Sequence, residues 1–322
     1  TFYEFERNGK VIKALAQTTK TGLTFLLNRE TGEPIFPIEE KEVPQGAIEG
    51  DYVSKTQPFP SKPAPLNPIY FDPEKAFGFT FWDRGHCKRT AKKLRNEGLF
   101  TPPSLQGSIH YPSAVGGNNW GGPAVDPERN IMVVNTNNMA SLIVMIPRED
   151  CNKPLEELSV NKNQVRYTNI ETNEGAPYCN LRSMGFFSPL GVPCTEPPWG
   201  TLTAIDLNNG EHLWNVPLGT SKDLAPFPFW WIKGAPNMGG PTVTASGVTF
   251  IGATSDHYLR AFNTETGEEI AKFRLPTGAH ATPMTYTNKE GRQFVVIAAG
   301  GHWAIGTPAS DHLIAFALPE NK

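Results

Sequence analysis

The sequence has no apolar run approaching the roughly 20 residues that cross a bilayer as a helix, so a membrane-spanning helix is excluded. It has no marked excess of either charge: the formal net charge is −3 and the basic stretch 88–93 is short and isolated. A field that would hold nucleic acid is therefore not expected. The four cysteines include no Cys-x-x-Cys pair, which argues against a zinc or redox motif. Cys179 and Cys194, which flank a loop rich in proline and glycine, are the candidate disulfide.

Glycine and proline are abundant, with thirty of each in 322 residues. This content of glycine and proline favours many short strands joined by tight turns over long helices. We therefore predict an all-β protein.

Two pairs of similar segments indicate a repeated unit; the second member of each pair is called the echo of the first. Residues 121–125 and the apolar run that follows them are echoed by residues 239–243 and their own run, 118 residues later (239 − 121). Residues 202–210 are echoed by 259–267, with turn glycines 57 residues apart (267 − 210). Since the first spacing is about twice the second, one unit of nearly 60 residues is indicated.

Each unit alternates short apolar runs with Asn-Gly or Thr-Gly turns, which form hairpins because glycine accepts positive φ. A repeated four-stranded unit of this length is typical of a β-propeller blade. Two stretches, about 39–118 and 148–198, lack clear strand patterning, and we expect them to be long loop insertions. A short helix within 75–98, capped by Gly98, is expected in the first of them.

One turn and a series of later blocks carry a family resemblance. In the turn, 17–22, Lys20 precedes an apolar stretch and an Asn28-x-x-Thr31-Gly32 turn. The later blocks are 120–122, 135–138, 188–200, 237–241, 258–262, 281–286 and 300–302. Together they resemble the membrane-bound pyrroloquinoline quinone (PQQ) dehydrogenases of the glucose, quinate and shikimate group. The resemblance implies that residues 1–322 are the C-terminal part of an eight-bladed propeller of four-stranded antiparallel blades.

The resemblance assigns Lys20 both a catalytic and a PQQ-binding role. In this family a hydride passes from an alcohol carbon to PQQ on the propeller axis, and a fixed cation stabilises the charge that develops on the quinone oxygen. A solvated loop lysine is the alternative. Asn135 ends an apolar strand, where its amide can reach a cofactor, and it matches a PQQ-contacting asparagine. A turn-forming role is the alternative for Asn135.

Further residues are assigned by position in the family pattern. Met238 and Gly239 occupy a turn that contacts PQQ through main-chain groups in related enzymes, although a strand start with close backbone approach is an equal alternative. His302 lies in a glycine-rich turn near the substrate pocket, where a histidine can orient a hydroxyl or tune a proton transfer. Simple solvent exposure is the alternative for His302. Trp303 is expected to bind the cofactor as a pocket wall, with packing in the core as the alternative.

No metal site is predicted within the chain. The resemblance implies Ca²⁺ or Mg²⁺ held by carboxylate and amide oxygens, together with an aspartate general base, and it places both upstream of Thr1. The chain begins with strand-like alternation and no initiating Met, so we expect the C-terminal half of a longer protein, inactive by itself.

The implied function is oxidation of a sugar or cyclic polyol, namely glucose, quinate or shikimate, with electrons passed to ubiquinone. The implied location is the periplasmic face of the bacterial inner membrane, with a membrane anchor in the missing N-terminal half. A non-catalytic propeller scaffold for protein binding is the alternative. Such a scaffold has no need of Lys20, Asn135 and His302 at separate loop mouths.

Overall fold

The computed structural model describes residues 1–7, 9–118, 121–154, 157–158, 169–227 and 229–319. Strands dominate these residues, as the glycine and proline content predicts. They are β1 Phe2–Arg7, β2 Lys10–Thr18, β3 Thr24–Asn28, β4 Ile38–Glu42, β5 Thr56–Pro60, β6 Ser108–His110, β7 Ala124–Asp126, β8 Ile131–Asn137, β9 Ser141–Pro147, β10 Asn169–Glu171, β11 Tyr178–Arg182, β12 Gly200–Asp206, β13 His212–Pro217, β14 Thr242–Val243, β15 Val248–Ile251, β16 Tyr258–Asn263, β17 Glu269–Arg274, β18 Met284–Thr287, β19 Gln293–Ala299 and β20 His312–Phe316. One α-helix, α1 Phe81–Ala91, lies within the same ranges.

Four of the sheets follow the repeat in the sequence. Their strand orders are β1–β2–β3, β7–β8–β12–β13, β14–β15–β16–β17 and β18–β19–β20, with antiparallel neighbours throughout. The echoed segments occupy equivalent strands, because 131–134 lies in β8 and 248–251 in β15, while 202–206 lies in β12 and 259–263 in β16. The predicted all-β fold with repeated four-stranded antiparallel units is confirmed.

Strand β8 shows why the sheets stack. All seven of its residues are buried. Met132 and Val134 pack against the β1–β2–β3 sheet, whereas Ile131 and Val133 pack against the β14–β17 sheet. Successive side chains of a strand point to opposite faces, so a strand that is apolar or buried at every position joins two neighbouring sheets. This is the layering of adjacent propeller blades.

The two stretches expected as insertions contain regular structure. Residues 39–118 include the β4–β5 hairpin, α1 and β6, and residues 148–198 include β10 and β11. Strands β6, β10 and β11 join β9 in a further four-stranded sheet, of order β10–β11–β9–β6. The chain therefore leaves one blade after β8 and returns to it at β12. Whether these stretches are insertions into a propeller stays a prediction.

The expected Cys179–Cys194 disulfide is wrong. The structure pairs Cys87 with Cys194 and Cys151 with Cys179, at Cα–Cα distances of 5.5 and 6.0 Å. Cys179 lies on β11 opposite Ile146 of β9, so the turn that follows β9 brings Cys151 to it. Cys194 instead faces α1, which packs on the loop before β12.

The expected helix is present, but Gly98 does not cap it. Helix α1 begins after Thr80, whose side chain accepts a hydrogen bond from the Asp83 N–H at 3.2 Å, and it ends at Ala91. Gly98 has φ +92° and belongs to a separate turn closed by Thr101. Within the described residues, no helix is long and apolar enough to cross a membrane.

Candidate active site

The predicted site residues lie at one rim of the stacked sheets. Lys20 is in the turn from β2 to β3, Asn135 is near the end of β8, and His302 is between β19 and β20. These strands are the second and third strands of their repeats. Gly239 precedes the first strand of its repeat, β14. Because antiparallel neighbours alternate in direction, the ends of second strands and the starts of first and third strands share one rim.

The Lys20 backbone is hydrogen-bonded, and its ammonium group has a main-chain carbonyl as its partner. The Gly117 N–H donates to the Lys20 carbonyl at 2.8 Å, and Lys20 Nζ donates to the Ala114 carbonyl at 3.3 Å. Gly116, with φ +94°, lies so close that a Cβ there would meet the Lys20 side chain at 2.7 Å. In the part of the chain that the structure describes, no carboxylate forms an ion pair with Lys20. Its positive charge is therefore available to a ligand.

A polar cavity of about 480 Å³ adjoins Lys20. Gln17, Thr18, Thr19 and Asn118 line it together with Lys20. A second cavity of about 210 Å³ also reaches Lys20, with His110 and Tyr111 among its lining residues. Lys20 therefore lines both cavities.

Asn135 is buried, and its amide orientation is fixed. Its Nδ2 donates to Asn237 Oδ1 at 2.6 Å and to the Gly239 carbonyl at 2.9 Å. Since both partners are acceptors, the remaining atom is the amide oxygen. That Oδ1 is buried and has no hydrogen-bond partner among the described residues. A buried acceptor left unpaired is unfavourable by about 1–3 kcal/mol, so a donor from a bound molecule fits here.

Asn118 joins the Lys20 turn to the strand of Asn135. Its Oδ1 accepts a hydrogen bond from Thr18 Oγ1 at 2.5 Å, and its Nδ2 donates to the Asn135 carbonyl at 2.8 Å. Thr18, Asn118 and Asn135 are buried. These bonds join Thr18, two residues before Lys20, to the strand that carries the unpaired amide oxygen.

Gly239 continues this network towards the histidines. It has φ +107°, a region that favours glycine, and a Cβ there would lie 2.6 Å from the His280 carbonyl oxygen. The Met238 N–H donates to the Ala253 carbonyl at 2.9 Å. Glycine at 239 is thus explained by close backbone approach, and its carbonyl is already engaged by Asn135. A main-chain contact with a cofactor at Met238 and Gly239 stays a prediction.

His302 lies at the far end of the network. Its N–H donates to Thr307 Oγ1 at 2.7 Å, and its ring lies 6.3 Å from that of His280. His302 Nδ1 accepts from the Ala304 N–H at 3.2 Å, so the ring can present Nε2–H to a ligand. Trp303 stacks on His302 at 6.0 Å and is 85% exposed. Its role as a pocket wall stays a prediction.

The predicted residues thus share a rim and a chain of contacts, but the polar cavity beside Lys20 is lined by neither Asn135 nor His302. An apolar cavity of about 340 Å³ adjoins the other side of the network. Asn137, Asn237, Ser255 and Ile305 line it together with several loop residues. Trp120, which belongs to one of the resembling blocks, lies outside the described residues.

Three residues of this rim were not found from the sequence. Asn237 and Asn118 hold Asn135. An asparagine in a loop gives no sequence signal of its partner, and Asn237 lies 102 residues from Asn135 while Asn118 lies 100 residues from its other partner, Thr18. His280 bridges the Ala253 carbonyl and Thr307 Oγ1, at 3.0 Å each. Burial lowers the pKa of His280, so its ring is neutral in the folded protein near pH 7.

The buried ion pair between Asp256 and Arg260 was also not predicted from the sequence. Asp256 accepts hydrogen bonds from Arg260, Thr254 and Thr220. Burial, the largest influence, raises the pKa of Asp256, but the Arg260 guanidinium and the two hydroxyls outweigh it and leave that pKa below its usual value. The carboxylate is saturated by these partners, which fits a structural role. Among the described residues, no group of three or more His, Cys, Asp or Glu side chains could hold a metal ion.

Comparison with known proteins identifies the family. Residues 1–295 match the family described as glucose/ethanol/alcohol dehydrogenase, beta-propeller domain, of the PQQ type. The chain belongs to this PQQ dehydrogenase family. The similarity to the glucose and quinate/shikimate group expected from the sequence is confirmed by two curated relatives.

The quinoprotein glucose dehydrogenase of Escherichia coli (strain K12) is 40% identical over 331 residues, covering 100% of this chain and 40% of that protein. The quinate/shikimate dehydrogenase (quinone) of Acinetobacter baylyi (strain ATCC 33305 / BD413 / ADP1) is 36% identical over 322 residues, covering 97% of this chain and 39% of that protein. The chain therefore spans about two fifths of the length of these relatives.

Solved structures support the fold. A europium-containing methanol dehydrogenase matches with a TM-score of 0.53 at 19% identity, over 93% of this chain and 38% of that one. At this identity the match shows the propeller fold alone.

Proposed function

We propose that this chain is part of a PQQ-dependent dehydrogenase that oxidises a CH–OH group of a sugar or cyclic polyol and passes the electrons to ubiquinone. The observation that carries the proposal is the Lys20 ammonium, which has no carboxylate partner among the described residues, at the same rim as the unpaired, buried Oδ1 of Asn135. Asn118 joins Thr18, two residues before Lys20, to the Asn135 carbonyl. A cation and a hydrogen-bond acceptor at one rim suit a polar ring that bears carbonyl oxygens and donor groups.

When bound, PQQ supplies a quinone carbonyl that accepts a hydride from the alcohol carbon. Lys20 Nζ would be aimed at the oxygen on which negative charge develops, and a charge fixed in advance stabilises that change without reorganisation. Asn135 Oδ1 would accept a hydrogen bond from the cofactor. His302 Nε2–H would orient a substrate hydroxyl.

The substrate class rests on the family and its relatives. Glucose, quinate and shikimate rank equally, since the described residues do not separate them. The general base and the ligands of a Ca²⁺ or Mg²⁺ ion would lie outside this chain, in the N-terminal half of the intact enzyme. We place that enzyme at the periplasmic face of the inner membrane, with its anchor in the same half.

Reconstitution tests the function. The intact enzyme, with PQQ and either Ca²⁺ or Mg²⁺ added, is assayed for reduction of a short-chain ubiquinone analogue with each of the three substrates. PQQ-dependent reduction with at least one of them is expected. Tight PQQ binding without turnover on any sugar or polyol would refute the substrate class, and absence of PQQ binding would favour the scaffold alternative.

A further inference from the structure

A partly buried histidine lines the smaller of the two cavities beside Lys20. His110 is the last residue of β6, and it shares this cavity of about 210 Å³ with Lys20, Leu99, Phe100 and Tyr111. His110 Nε2 is buried and, among the residues that the structure describes, has no hydrogen-bond partner. Leaving a buried polar atom unpaired is unfavourable, so this side chain needs a partner that the described part of the chain does not supply.

Hydrogen bonds fix the segment that runs from His110 to the Lys20 turn. His110 lies opposite Ser141 of β9, and Ser141 Oγ accepts a hydrogen bond from the Ala114 N–H at 3.0 Å. The Ala114 carbonyl accepts the bond from Lys20 Nζ at 3.3 Å, and the Gly117 N–H donates to the Lys20 carbonyl at 2.8 Å. The imidazole and the ammonium group are therefore held in place on the wall of one cavity.

Another wall of this cavity is a turn with a strained residue. Phe100 has φ +66°, a left-handed conformation that residues with a side chain rarely adopt. Thr101 Oγ1 donates to the Gly98 carbonyl at 2.6 Å and accepts from the Glu97 N–H at 3.0 Å, and the Phe100 ring packs edge to face on Phe59 at 5.8 Å. Strain that the surrounding structure maintains is concentrated at binding and catalytic sites.

The size and lining of the cavity suit one small ring. A volume of about 210 Å³ has room for about seven water molecules at about 30 Å³ each, which is the scale of a single six-membered ring with its hydroxyl groups. Apolar side chains from Leu99, Phe100 and Pro112 can pack on the C–H face of such a ring. Lys20 and His110 add polar groups at separate points, and a mainly apolar wall with few polar groups is typical of a small-molecule site.

The imidazole of His110 favours a hydroxyl group as its partner. Burial lowers the pKa of His110, so the ring is neutral near pH 7 and carries one N–H donor and one acceptor nitrogen. The ring turns about its Cβ–Cγ bond, and either nitrogen can then meet a ligand in the cavity. A hydroxyl group both donates and accepts, whereas a carbonyl or carboxylate oxygen only accepts. A polyhydroxylated ring therefore satisfies His110 in either tautomer and also offers an oxygen to Lys20.

We propose that the cavity lined by Lys20 and His110 binds the ring of the sugar or cyclic polyol, and that His110 is a substrate-binding residue that hydrogen-bonds one of its hydroxyl groups. This assignment rests on the proposed function. The carbon that loses the hydride must approach the same quinone carbonyl that Lys20 stabilises, so the substrate must also lie beside Lys20. His302 lines neither cavity beside Lys20, and its predicted contact with substrate is a separate assignment.

Steady-state kinetics of the intact, PQQ-loaded enzyme tests the role of His110. His110→Leu keeps the bulk of the side chain but removes both ring nitrogens. The KM for the substrate should rise by about fivefold to tenfold, the scale of one hydrogen bond. Turnover at saturation should be nearly unchanged, since a hydroxyl away from the reacting carbon is bound equally in the ground and transition states. His110→Gln, whose amide both donates and accepts, should restore most of the affinity.

The matched control is His212→Leu. His212 is a half-exposed histidine on β13 that lines neither cavity beside Lys20. This variant should keep the KM of the parent enzyme. An equal rise in KM for His212→Leu and His110→Leu would overturn the assignment.

Equilibrium binding provides a readout that does not depend on turnover. The PQQ-loaded enzyme is reduced beforehand with dithionite and kept free of oxygen, so that no hydride is transferred, and glucose, quinate and shikimate are titrated by calorimetry. The Kd should rise in His110→Leu as the KM does. Analogues that each lack one hydroxyl group locate the contact. One of them should bind the parent enzyme more weakly than the complete substrate does, but should bind His110→Leu as well as the complete substrate does.

The outcomes separate this assignment from the proposed function. An unchanged Kd in His110→Leu, or the same loss for every analogue in parent and variant, would overturn the assignment while substrate oxidation by the parent enzyme still supported the function. A higher KM for the ubiquinone analogue alone would place the electron acceptor in this cavity and would also overturn the assignment. Absence of turnover by the parent enzyme on all three substrates would refute the proposed function itself.

Chemical labelling of the parent enzyme covers the case in which His110→Leu does not fold. Diethyl pyrocarbonate modifies accessible imidazoles, and mass spectrometry locates each modified histidine. Saturating substrate should slow the modification of His110 and leave that of His212 unchanged. Modification of His110 at the same rate with and without substrate would overturn the assignment.

Discussion

The side-chain amide of Asn137 pairs with the peptide groups of Asn237 as one strand pairs with another. Asn137 Nδ2 donates to the Asn237 carbonyl at 2.9 Å, and the Asn237 N–H donates to Asn137 Oδ1 at 2.8 Å. Both residues are buried. One side chain thus joins the β8 sheet to the segment that precedes β14, two residues along the strand from Asn135.

Asn137→Ala should destabilise the protein, because it leaves a buried N–H and a buried carbonyl of Asn237 without partners. The expected loss is about 1–3 kcal/mol for each unpaired group, seen as a fall of several degrees in the thermal midpoint. The control is Asn152→Ala, at an exposed position, which should leave the midpoint unchanged. Equal midpoints for the two variants would show that the pairing contributes nothing.

Lys20→Ala should reduce turnover of the intact enzyme by about 10²- to 10³-fold, the scale for removing one group that stabilises transition-state charge. Lys55→Ala removes an exposed lysine elsewhere and should leave turnover unchanged. Steady-state kinetics with saturating PQQ separates the two variants. Near-normal turnover in Lys20→Ala would reject the catalytic role of this lysine.

His302→Asn should change the preference among glucose, quinate and shikimate more than it changes PQQ affinity. The reason is that His302 lies at the far end of the network from Lys20, with Nε2–H free to meet a hydroxyl. The measurements are kcat/KM for each substrate and a PQQ titration followed by fluorescence. A large loss of PQQ affinity with unchanged preference would place His302 at the cofactor instead.

The repeat of the fold could be predicted because its signals are local. Turn glycines and alternating apolar runs determine each hairpin, and the echo between 121–125 and 239–243 places equivalent strands in equivalent blades. Lys20 and Asn135 were singled out because the turn and the strand end that carry them resemble the family's pattern, and their roles stay predictions. The partners of Asn135 were not, because Asn237 lies 102 residues away and only the stacking of two blades brings it near.

The predicted Cys179–Cys194 disulfide was wrong for a similar reason. Cys179 and Cys194 are close in sequence, but β11 pairs with β9 and so carries Cys179 to Cys151. Cys194 meets Cys87 only because α1 folds back over the loop that precedes β12. Pairings that depend on how an irregular stretch returns to the sheets are not encoded in short-range pattern.

Peptide mapping without reduction checks these assignments. Digestion should yield the linked pairs Cys87–Cys194 and Cys151–Cys179, with no Cys179–Cys194 peptide. The Cys87→Ser/Cys194→Ser variant should lose about 2–5 kcal/mol of stability, the usual range for removing a native disulfide. A midpoint unchanged from that of the parent chain would contradict a structural role for the bond that holds α1.

Stability should fall as the pH is lowered from about 7 to 5, and His280 should account for part of the fall. Burial lowers the pKa of His280, and it also lowers the pKa of His110 and His257. An unfolded histidine has a pKa of about 6.5. Below that pH the unfolded state therefore binds more protons than the folded state, and protonation favours unfolding. The stabilisation is complete above pH 6.5 and is lost as the pH falls through the folded-state pKa.

Titration of the Asp256 carboxyl group does not contribute between pH 7.5 and 5. Its folded-state pKa is also lowered, so its contribution is lost only below the unfolded carboxyl pKa of about 3.9. The measurement is the free energy of unfolding in urea at pH 7.5, 6 and 5. His280→Gln should be less stable at pH 7.5 but should lose less stability on acidification than the parent chain. Parallel pH profiles for the two proteins would show that His280 is protonated equally in the folded and unfolded states, and that its bonds to Ala253 and Thr307 do not depend on a neutral ring.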